Sequence, residues 1–587
     1  MEMCRMKDIY KNFHKMETDG GFKRVMKSLS YANLKKDSKK KKRMNKKLLG
    51  IVILLILIKI LLAMLITVPL GFSDSLTHLE GAKTFFANPS LSSAISTQKY
   101  TLFPLLISPL LFFKDMGFVY FLILVLNAII SSLIIFPTYK IAKEFLHEKE
   151  SILVATVIAM LPAIFISSFY IMSEALFSLL LITSLYLIFQ AYTKQKKKWD
   201  ILAAISVAAT LLTKSIGIIL IPIVFFLFLR AIKNKQWSLV KTKILLGLST
   251  FLFLLPFFIA KGQKNGFTLA GILGYSNEIT NITHATNPTI KILWLFFYTD
   301  YIILASTIIC ACIFIYALLN YKKKNEKEKI ILQLTFWLLI GTILIAANNA
   351  SYFSNIEDTR IIGRYVEINL VLLILTSIVF IRDWKSHWDF QKTLILLLIT
   401  ITTPFILTRA LFPLNNTGLS LLGTIQIIFQ LFKLQIWLAT IPLLIVVFLI
   451  LKIKKLKANK FLYFLFLYFL IISLLSTSMI IYDANKNWAS LEETELGQWI
   501  NINLAKNATF LIDINDMLDT DFRSKSTNVT ETKDRPITVI GYWIYGNYTI
   551  TDVTEAKKFN YIISTQDLPY DIVKEGETIK IYKVNAP

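Results

Sequence analysis

The chain has 587 residues, 55% of them hydrophobic, and a formal net charge of +26 at pH 7. A mean hydropathy of +0.58 excludes an ordinary soluble enzyme and indicates a polytopic membrane protein. The positive charge is concentrated in the N-terminal tail and between the apolar runs, so it indicates membrane topology rather than nucleic-acid binding. The three cysteines, Cys4, Cys310 and Cys312, suggest no disulfide framework and no metal-ligand spacing.

Residues 1–47 form a basic tail that ends in Lys39-Lys-Lys-Lys-Arg43 and Lys46-Lys47. A cleavable signal peptide has only a short charged region before its apolar run. The first span is therefore expected to remain as an anchor, and the tail is expected to be cytoplasmic. The tail either lies against anionic lipid headgroups or serves only as a retention signal.

Apolar runs between residues 48 and 482 predict about 13 spans, because a helix needs about 20 residues to cross a bilayer. Every second connector carries Lys and Arg, as in Lys194-Gln-Lys-Lys-Lys198. This predicts a multi-pass plasma-membrane protein with its N-terminus in the cytoplasm and its C-terminus outside. The predicted spans are 48–70, 117–139, 151–169, 171–192, 200–213, 215–231, 243–260, 298–320, 329–348, 365–381, 392–409, 435–453 and 461–482.

Two outer segments are apolar without being plain spans. Tyr100-Thr-Leu-Phe-Pro-Leu-Leu-Ile-Ser-Pro109 is short and interrupted by two prolines, which predicts an interfacial or re-entrant piece. Residues 419–434 carry few charges and are expected to lie in the outer interface.

Residues 483–587 are polar and predict a small extracytoplasmic α/β domain, interpreted as a recognition or packing module. The segment 488–504 has helical periodicity. Residues rich in β-branched and aromatic side chains predict strands over 509–513, 537–540, 561–564 and 578–584.

The loop after the first span gathers Asp74, His78, Glu80 and Lys83. In a helix, Asp74 and His78 would share a face and Glu80 would point elsewhere. A carboxylate at the membrane surface can serve as a general base toward an acceptor hydroxyl or amine. Alternatively, Asp74 or Ser73 caps the helix and His78 is an ordinary interface residue.

Ionisable residues also occur near the outer ends of three spans. Glu174 opens one span from the predicted outer side, Lys214 lies near the outer end of the next pair of spans, and Asp300 lies in Phe297-Tyr-Thr-Asp-Tyr301. Charges at such depth are costly and tend to face a cavity or a partner. The alternatives are a favourable helix N-terminal charge for Glu174 and snorkelling for Lys214.

Arg360 and Arg364 are two of the few arginines on the predicted outer side. Their forks of donors suit the phosphate of a lipid-linked substrate. The alternative is a salt bridge with Glu357 or Asp358.

The order of these motifs resembles the GT-C class of integral-membrane glycosyltransferases, including the protein O-mannosyltransferase-like family. The resemblance covers roughly residues 48–382, and each motif is weak alone. After the acidic loop and the proline-punctuated segment come Leu126-Asn-Ala-Ile-Ile-Ser-Ser, Pro137-Thr-Tyr-Lys, Ser173-Glu-Ala-Leu-Phe177, Leu212-Thr-Lys-Ser-Ile-Gly217 and Gly363-Arg-Tyr365.

The resemblance implies an α-helical polytopic enzyme that uses a polyprenyl-phosphate-linked monosaccharide as donor. Its acceptor would be a glycan, a lipid or a protein at the outer face. Asp74 matches the catalytic acidic residue, although Ser75 stands where relatives often have a second acid. The choice of base between Asp74 and Glu80, and the participation of a divalent cation, therefore stay open. The implied site is Asp74, His78 and Glu80 for catalysis, with Lys214, Arg360, Arg364, Tyr365 and Glu174 for binding.

Two other classes remain as alternatives. Many spans with buried charges also fit a transporter or flippase, although no inverted repeat is evident and the acidic loop has no use there. A non-catalytic assembly protein for surface polymers is the third possibility.

Overall fold

The computed structural model describes residues 46–70, 73–90, 93, 101–268, 288–353, 361–381, 390, 394, 397–398, 458–513 and 535–584. The chain divides into two units, residues 1–57 and 58–587. In the first unit, residues 46–57 are helical, and the second unit begins with helical residues 58–63. The predicted span 435–453, the interfacial segment 419–434, Arg360 and all of the predicted span 392–409 except residues 394, 397 and 398 lie outside the described residues.

Helices dominate the part of the second unit that precedes residue 490. The outer loops and the first half of the bundle contain α1 (Ser73–Ala87), α2 (Leu102–Ile107), α3 (Met116–Leu133), α4 (Ile135–Ala142), α5 (Glu148–Ala159), α6 (Pro162–Phe165), α7 (Glu174–Lys194) and α8 (Lys197–Thr213). The second half contains α9 (Leu220–Lys233), α10 (Trp237–Asn265), α11 (Pro288–Ala305), α12 (Ile309–Leu319), α13 (Glu326–Phe353), α14 (Asn369–Phe380) and α15 (Ala458–Tyr482).

Seven of the described helical segments are long and apolar enough to cross a membrane, or up to eight if a bent pair counts as one span. This confirms a multi-pass membrane protein, and the count of 13 stays a prediction. The bent pair is Glu148–Ala159 with Pro162–Phe169, at an angle of 67°. The bend occurs at Pro162, which cannot donate the hydrogen bond that would continue the helix. The predicted span 298–320 consists of α11 and α12, separated by Thr307 with φ of 62°.

Many polar side chains inside the bundle find hydrogen-bond partners within their own helix or on a neighbouring one. Ser132, Thr183 and Thr335 donate to the carbonyl four residues earlier, at 2.7–2.9 Å. Lys243 on α10 pairs with Asp200 on α8, and both side chains are fully buried. A medium without water requires such internal partners, because an unsatisfied polar group costs several kcal/mol there.

The C-terminal domain is a five-stranded sheet covered by helices. Its strands, β1 (Phe510–Asp513), β2 (Tyr548–Thr551), β3 (Tyr561–Ser564), β4 (Asp571–Glu575) and β5 (Lys580–Lys583), have the order β2-β1-β3-β5-β4. β1 is parallel to β2 and β3, and β5 is antiparallel to β3 and β4. The helices α16 (Glu492–Asn503) and α17 (Arg535–Trp543) bury apolar residues such as Ile500 and Ile540 against Phe510 and Ile512.

The small α/β domain is confirmed, but one predicted strand is wrong. Residues 537–540 belong to helix α17. The β-branched run Ile537-Thr-Val-Ile540 has strand propensity, yet Val539, Ile540, Tyr542 and Trp543 are buried in the helix, and tertiary packing overrides local propensity. The sequence analysis does not predict strands β2 and β4, whose residues are exposed or only partly buried.

Candidate active site

The acidic loop after the first span folds into helix α1. Leu76, Leu79 and Ala82 are buried, which fixes the helix against the protein. Asp74 lies in the first turn of α1, where a negative charge interacts favourably with the helix dipole. Its side chain keeps 40% of its surface exposed, so the carboxylate can meet a substrate.

Arg364 faces Asp74 across one end of the helical bundle. It lies in the single 3-10 turn Gly363–Tyr365. Its Nη2 is 2.8 Å from Asp74 Oδ2, and its Nη1 is 3.7 Å from Glu174 Oε1. Nη1 also donates to Met172 Sδ at 3.5 Å, whereas Nε has no hydrogen-bond partner among the described residues. One arginine therefore bridges two carboxylates and keeps a donor unused.

Glu174 connects Arg364 to Lys214. Lys214 Nζ is 2.5 Å from Glu174 Oε1, and Lys214 is only 6% exposed. The ammonium also lies 5.9 Å from the ring centre of Tyr365 and 6.0 Å from that of Phe177. Snorkelling is therefore wrong for Lys214, while Glu174 is both a helix N-terminal charge and an ion-pair partner. We call Asp74, Glu174, Lys214 and Arg364 the charge cluster.

The backbone explains why Lys214 points inward. Helix α8 ends at Thr213, and Lys214 is extended, with φ of −158° and ψ of 140°. A 3-10 turn, Ser215–Ile219, then leads into α9. Thr101 donates its backbone N–H to the Leu212 carbonyl at 3.0 Å, so the proline-punctuated segment caps this break. An interrupted helix at membrane depth is tolerated where it lines a cavity or is buried in protein.

Helix α11 fixes the turn that carries Arg364. The Ile362 N–H donates to the Tyr298 hydroxyl at 3.2 Å, and the Tyr301 hydroxyl donates to Glu367. A Cβ on Gly363 would collide with the Tyr301 hydroxyl and the Glu367 carboxylate. Glycine is therefore required at this position by close approach rather than by backbone conformation.

Neighbouring charges and burial set the protonation states of Asp74, Arg364 and His78. Burial works to raise the pKa of Asp74, but the charge of Arg364, assisted by His78 and Lys214, holds it below the ordinary value of 3.8. Burial opposes the charge of Arg364, yet Glu174 and Asp74 raise its pKa further. Burial lowers the pKa of His78 to about 4 against the opposing effect of Asp74 and Glu174. At neutral pH, Asp74 is an anion, Arg364 a cation and His78 neutral.

The structure brings together most, but not all, of the predicted site residues. Asp74, Glu174, Lys214, Arg364 and Tyr365 meet as described above. His78 packs edge-on against Phe103, with ring centres 5.1 Å apart. Glu80 turns away, as its place on the helix predicts, and accepts a hydrogen bond from the Tyr548 hydroxyl of the C-terminal domain. The alternative partners of Arg364, Glu357 and Asp358, lie outside the described residues.

A divalent cation does not fit the described charge cluster. Within the described ranges, no three or more His, Cys, Asp or Glu side chains converge as metal ligands. Both carboxylates of the cluster already face cations, Arg364 and Lys214. No step below is therefore assigned to a metal.

Several residues that support the cluster were missed from the sequence. Met172, Tyr298 and Tyr301 gave no signal, because apolar and aromatic side chains are abundant in every span. Glu367 did carry one, since an acidic residue inside an otherwise apolar run is costly unless it is partnered.

Comparison with known proteins identifies chains of similar sequence and fold. Residues 93–269, from before α2 to beyond α10, match the family model of dolichyl-phosphate-mannose-protein mannosyltransferase. The chain is similar to the structure of ArnT from Cupriavidus metallidurans bound to undecaprenyl phosphate, with a TM-score of 0.56 at 11% identity. That match covers 91% of this chain and 97% of ArnT. The chain has the fold of ArnT. The predicted resemblance and fold class are thereby confirmed.

Two further structures are similar to the chain at lower scores. Apo ArnT from the same organism gives a TM-score of 0.54 at 11% identity, over 91% of this chain and 97% of that one. The apo oligosaccharyltransferase of Archaeoglobus fulgidus gives 0.46 at 12% identity, over 88% of this chain and 69% of that one. No curated protein sequence matches the chain significantly.

Proposed function

We propose that this protein is a membrane glycosyltransferase that moves a sugar from a polyprenyl-phosphate donor to an acceptor at the outer membrane face. The fold, the family match over residues 93–269 and the undecaprenyl phosphate bound to ArnT support this class of donor. The observation that carries the proposal is Arg364, which bridges two carboxylates at the outer end of the bundle with Nε unpaired.

Arg364 binds the donor phosphate. Its planar fork can present two donors to two phosphate oxygens, and it retains its charge at every accessible pH. Lys214 contributes a second positive charge from the buried side of Glu174. As the sugar leaves, the lipid phosphate gains negative charge, and these two cations stabilise it in the transition state.

Asp74 accepts the proton of the acceptor. The acceptor oxygen or nitrogen forms a bond to the anomeric carbon, the bond from that carbon to the phosphate oxygen breaks, and the electron pair leaves with the lipid phosphate. Asp74 is a better candidate than Glu80, because Glu80 is engaged by Tyr548 away from the charge cluster. Phosphate binding competes for Arg364, so it frees the Asp74 carboxylate and raises its basicity when the donor is present.

His78, Tyr365 and Glu174 support this chemistry without exchanging protons with substrate. Neutral His78 packs against Phe103, Tyr365 lies beside Lys214 and Arg364, and Glu174 forms ion pairs with both of these cations. Arg360 is proposed as an auxiliary phosphate ligand from its place in the sequence four residues before Arg364.

The site faces outward in the proposed topology. Residues 1–47 form the cytoplasmic tail, residues 48–482 the transmembrane domain, and residues 483–587 the extracytoplasmic domain. The excess of Lys and Arg in alternate connectors supports this orientation.

Turnover of a panel of radiolabelled polyprenyl-phosphate sugars by the protein in liposomes tests the proposal. Candidate hydroxyl and amine acceptors are included, and Asp74→Asn is measured alongside. Sugar transfer and lipid-phosphate release by the wild type, and loss of both in Asp74→Asn, are expected. Translocation of an intact donor without release would instead identify a flippase. No transfer from any donor, or full activity of Asp74→Asn, would contradict the proposal.

A further inference from the structure

The C-terminal domain contacts α1, the helix that carries Asp74, through two charged side chains. Lys83 Nζ donates to the carbonyl of Ile544 and, at 3.4 Å, to that of Gly541. The same ammonium lies 5.8 Å from the ring centre of Tyr548. The Tyr548 hydroxyl donates to Glu80 one turn earlier on α1. Three side chains thus join one helix of the site to one short segment, residues 541–548.

In these contacts, Lys83, Glu80 and Tyr548 form hydrogen bonds within the protein in place of hydrogen bonds to water. The last carbonyls of a helix have no partner within it and carry partial negative charge, and Lys83 supplies a cation to those at the end of α17. Burial lowers the pKa of Lys83 to about 8, although the neighbouring Glu80 opposes this. A phenol that donates to a carboxylate makes a charge-assisted bond, stronger than a neutral one. Because hydrogen bonds are directional, these contacts resist a shift of α1 against the C-terminal domain more than an apolar contact would.

The C-terminal domain is also fixed to the bundle at a second point. Asn501 on α16 accepts from the backbone N–H of Met116, the first residue of α3, at 3.1 Å. The carboxamide is buried at this contact, and Trp543 lies against Gly117. The domain is therefore held by α3, a membrane span, while it holds α1, which is an outer helix of 15 residues.

We infer that Glu80, Lys83 and Tyr548 form a positioning clamp through which the C-terminal domain sets the place of Asp74 opposite Arg364. This rests on the proposed function. Glu80 follows Asp74 by six residues, which is about 9 Å along a helix, so the clamp acts on the carboxylate through a rigid element. A catalytic group displaced by 1 Å can cost about 100-fold in rate, and this sensitivity gives the clamp its effect.

Removing one clamp contact tests the inference with little disturbance. Tyr548→Phe deletes only the hydroxyl, and Lys83→Met keeps the apolar stem without its charge. Both are expected to lower kcat about tenfold with the Kd for donor within about twofold, because Arg364 still binds phosphate. Tyr545→Phe is the matched control, since its hydroxyl makes no hydrogen bond to another described residue, and it should retain wild-type kcat.

Conservative variants separate positioning from folding and from catalysis. Lys83→Arg keeps the donors and should restore most of the kcat that Lys83→Met loses. Glu80→Gln keeps an acceptor for Tyr548 and should retain more activity than Glu80→Ala. A Glu80→Gln loss as large as that of Asp74→Asn would overturn the clamp and make Glu80 the base.

The outcomes distinguish the clamp from the proposed function. An active wild type with unchanged kcat in Tyr548→Phe and Lys83→Met overturns the clamp and leaves the glycosyltransferase intact. A wild type inactive on every donor removes the proposed function itself. A weakened donor Kd with unchanged kcat would also overturn the clamp, because the contact would then serve binding rather than the placement of Asp74.

Discussion

At the scale of single residues, the proposed site depends on a carboxylate and a guanidinium that form an ion pair in the absence of substrate. The 2.8 Å pair between Arg364 and Asp74 is partly exposed, so solvent screens much of its Coulomb energy. A phosphate can therefore displace Asp74 from Arg364 at modest cost. The pair is better understood as a resting state than as a stabilising element.

Arg364→Lys is expected to weaken kcat/KM for donor about tenfold, and Arg364→Ala more than about 100-fold, because a lysine cannot form the bidentate contact. Steady-state transfer assays with saturating acceptor measure the effect. Arg230→Lys is a matched control, since Arg230 pairs with Glu326 and Gln333 away from the charge cluster. Equal losses in Arg364→Lys and Arg230→Lys would argue against a phosphate role for Arg364.

The fall of kcat/KM at low pH should follow the protonation of Asp74. The base works as an anion, so kcat/KM falls as pH drops through its pKa, which Arg364 holds below 3.8. In Arg364→Gln that cation is gone, the pKa rises, and the limb of the residual activity moves to higher pH. Since the pKa of His78 is lowered to about 4, no inflection is expected near pH 6.5. Such an inflection, abolished by His78→Gln, would assign the limb to the imidazole instead.

At the scale of elements, interrupted helices create the site. The break between α8 and α9 turns Lys214 toward Glu174, and the turn before α14 turns Arg364 toward Asp74. Straight spans would have carried both cations to the lipid or to the interface. The prolines and glycines of the sequence mark some of these breaks, whereas the direction of each side chain depends on what packs behind it.

Gly363→Ala should displace the turn that carries Arg364, because the new methyl group overlaps Tyr301 and Glu367. Strain of this kind typically costs about 1–3 kcal/mol in stability, and a loss of kcat/KM above about tenfold is expected. Gly247→Ala is the control, since a Cβ there meets nothing within 4 Å and alanine favours the helix. Thermal unfolding and transfer assays on both variants check this, and a harmless Gly363→Ala would refute the close-packing argument.

The buried pair between α8 and α10 makes a separate prediction about stability. Lys243→Met or Asp200→Leu alone strands one charge in an apolar environment and should cost about 3–5 kcal/mol. The double variant Asp200→Leu/Lys243→Met removes both charges and should recover most of that loss. Unfolding in detergent, followed as a double-mutant cycle, measures the coupling. Additive losses would mean that the two side chains do not act as a pair.

At the scale of the whole molecule, the membrane bundle and the C-terminal domain both contact helix α1. The bundle supplies Glu174, Lys214 and Arg364, and the sheet domain holds the far end of α1 through Lys83 and Glu80. Asp74 thus lies on an element shared by both. This arrangement explains why a domain without a catalytic motif would be needed for transfer.

The proposed orientation predicts the sidedness of both ends. Alkaline phosphatase, which is active only outside the cytoplasm, should be active when fused after residue 584 and inactive when fused before residue 46. A fusion in the connector Tyr321–Lys323 should also be inactive, because that connector is rich in lysine. Activity at the N-terminal fusion or at the connector would reverse the topology.

The sequence by itself determined the membrane class, the presence of several apolar spans, the helix after the first span with Asp74 and His78 on one face, and the α/β character of the C-terminal part. These follow from hydropathy and periodicity, which are local properties of the chain. Only the tertiary structure decided that Arg364 pairs with Asp74 from 290 residues away, that Lys214 pairs with Glu174, and that Glu80 belongs to Tyr548. The tertiary structure also made residues 537–540 helical, where the sequence predicts a strand. Ion pairs and buried hydrogen bonds between distant segments depend on how helices pack, and no local pattern encodes that packing.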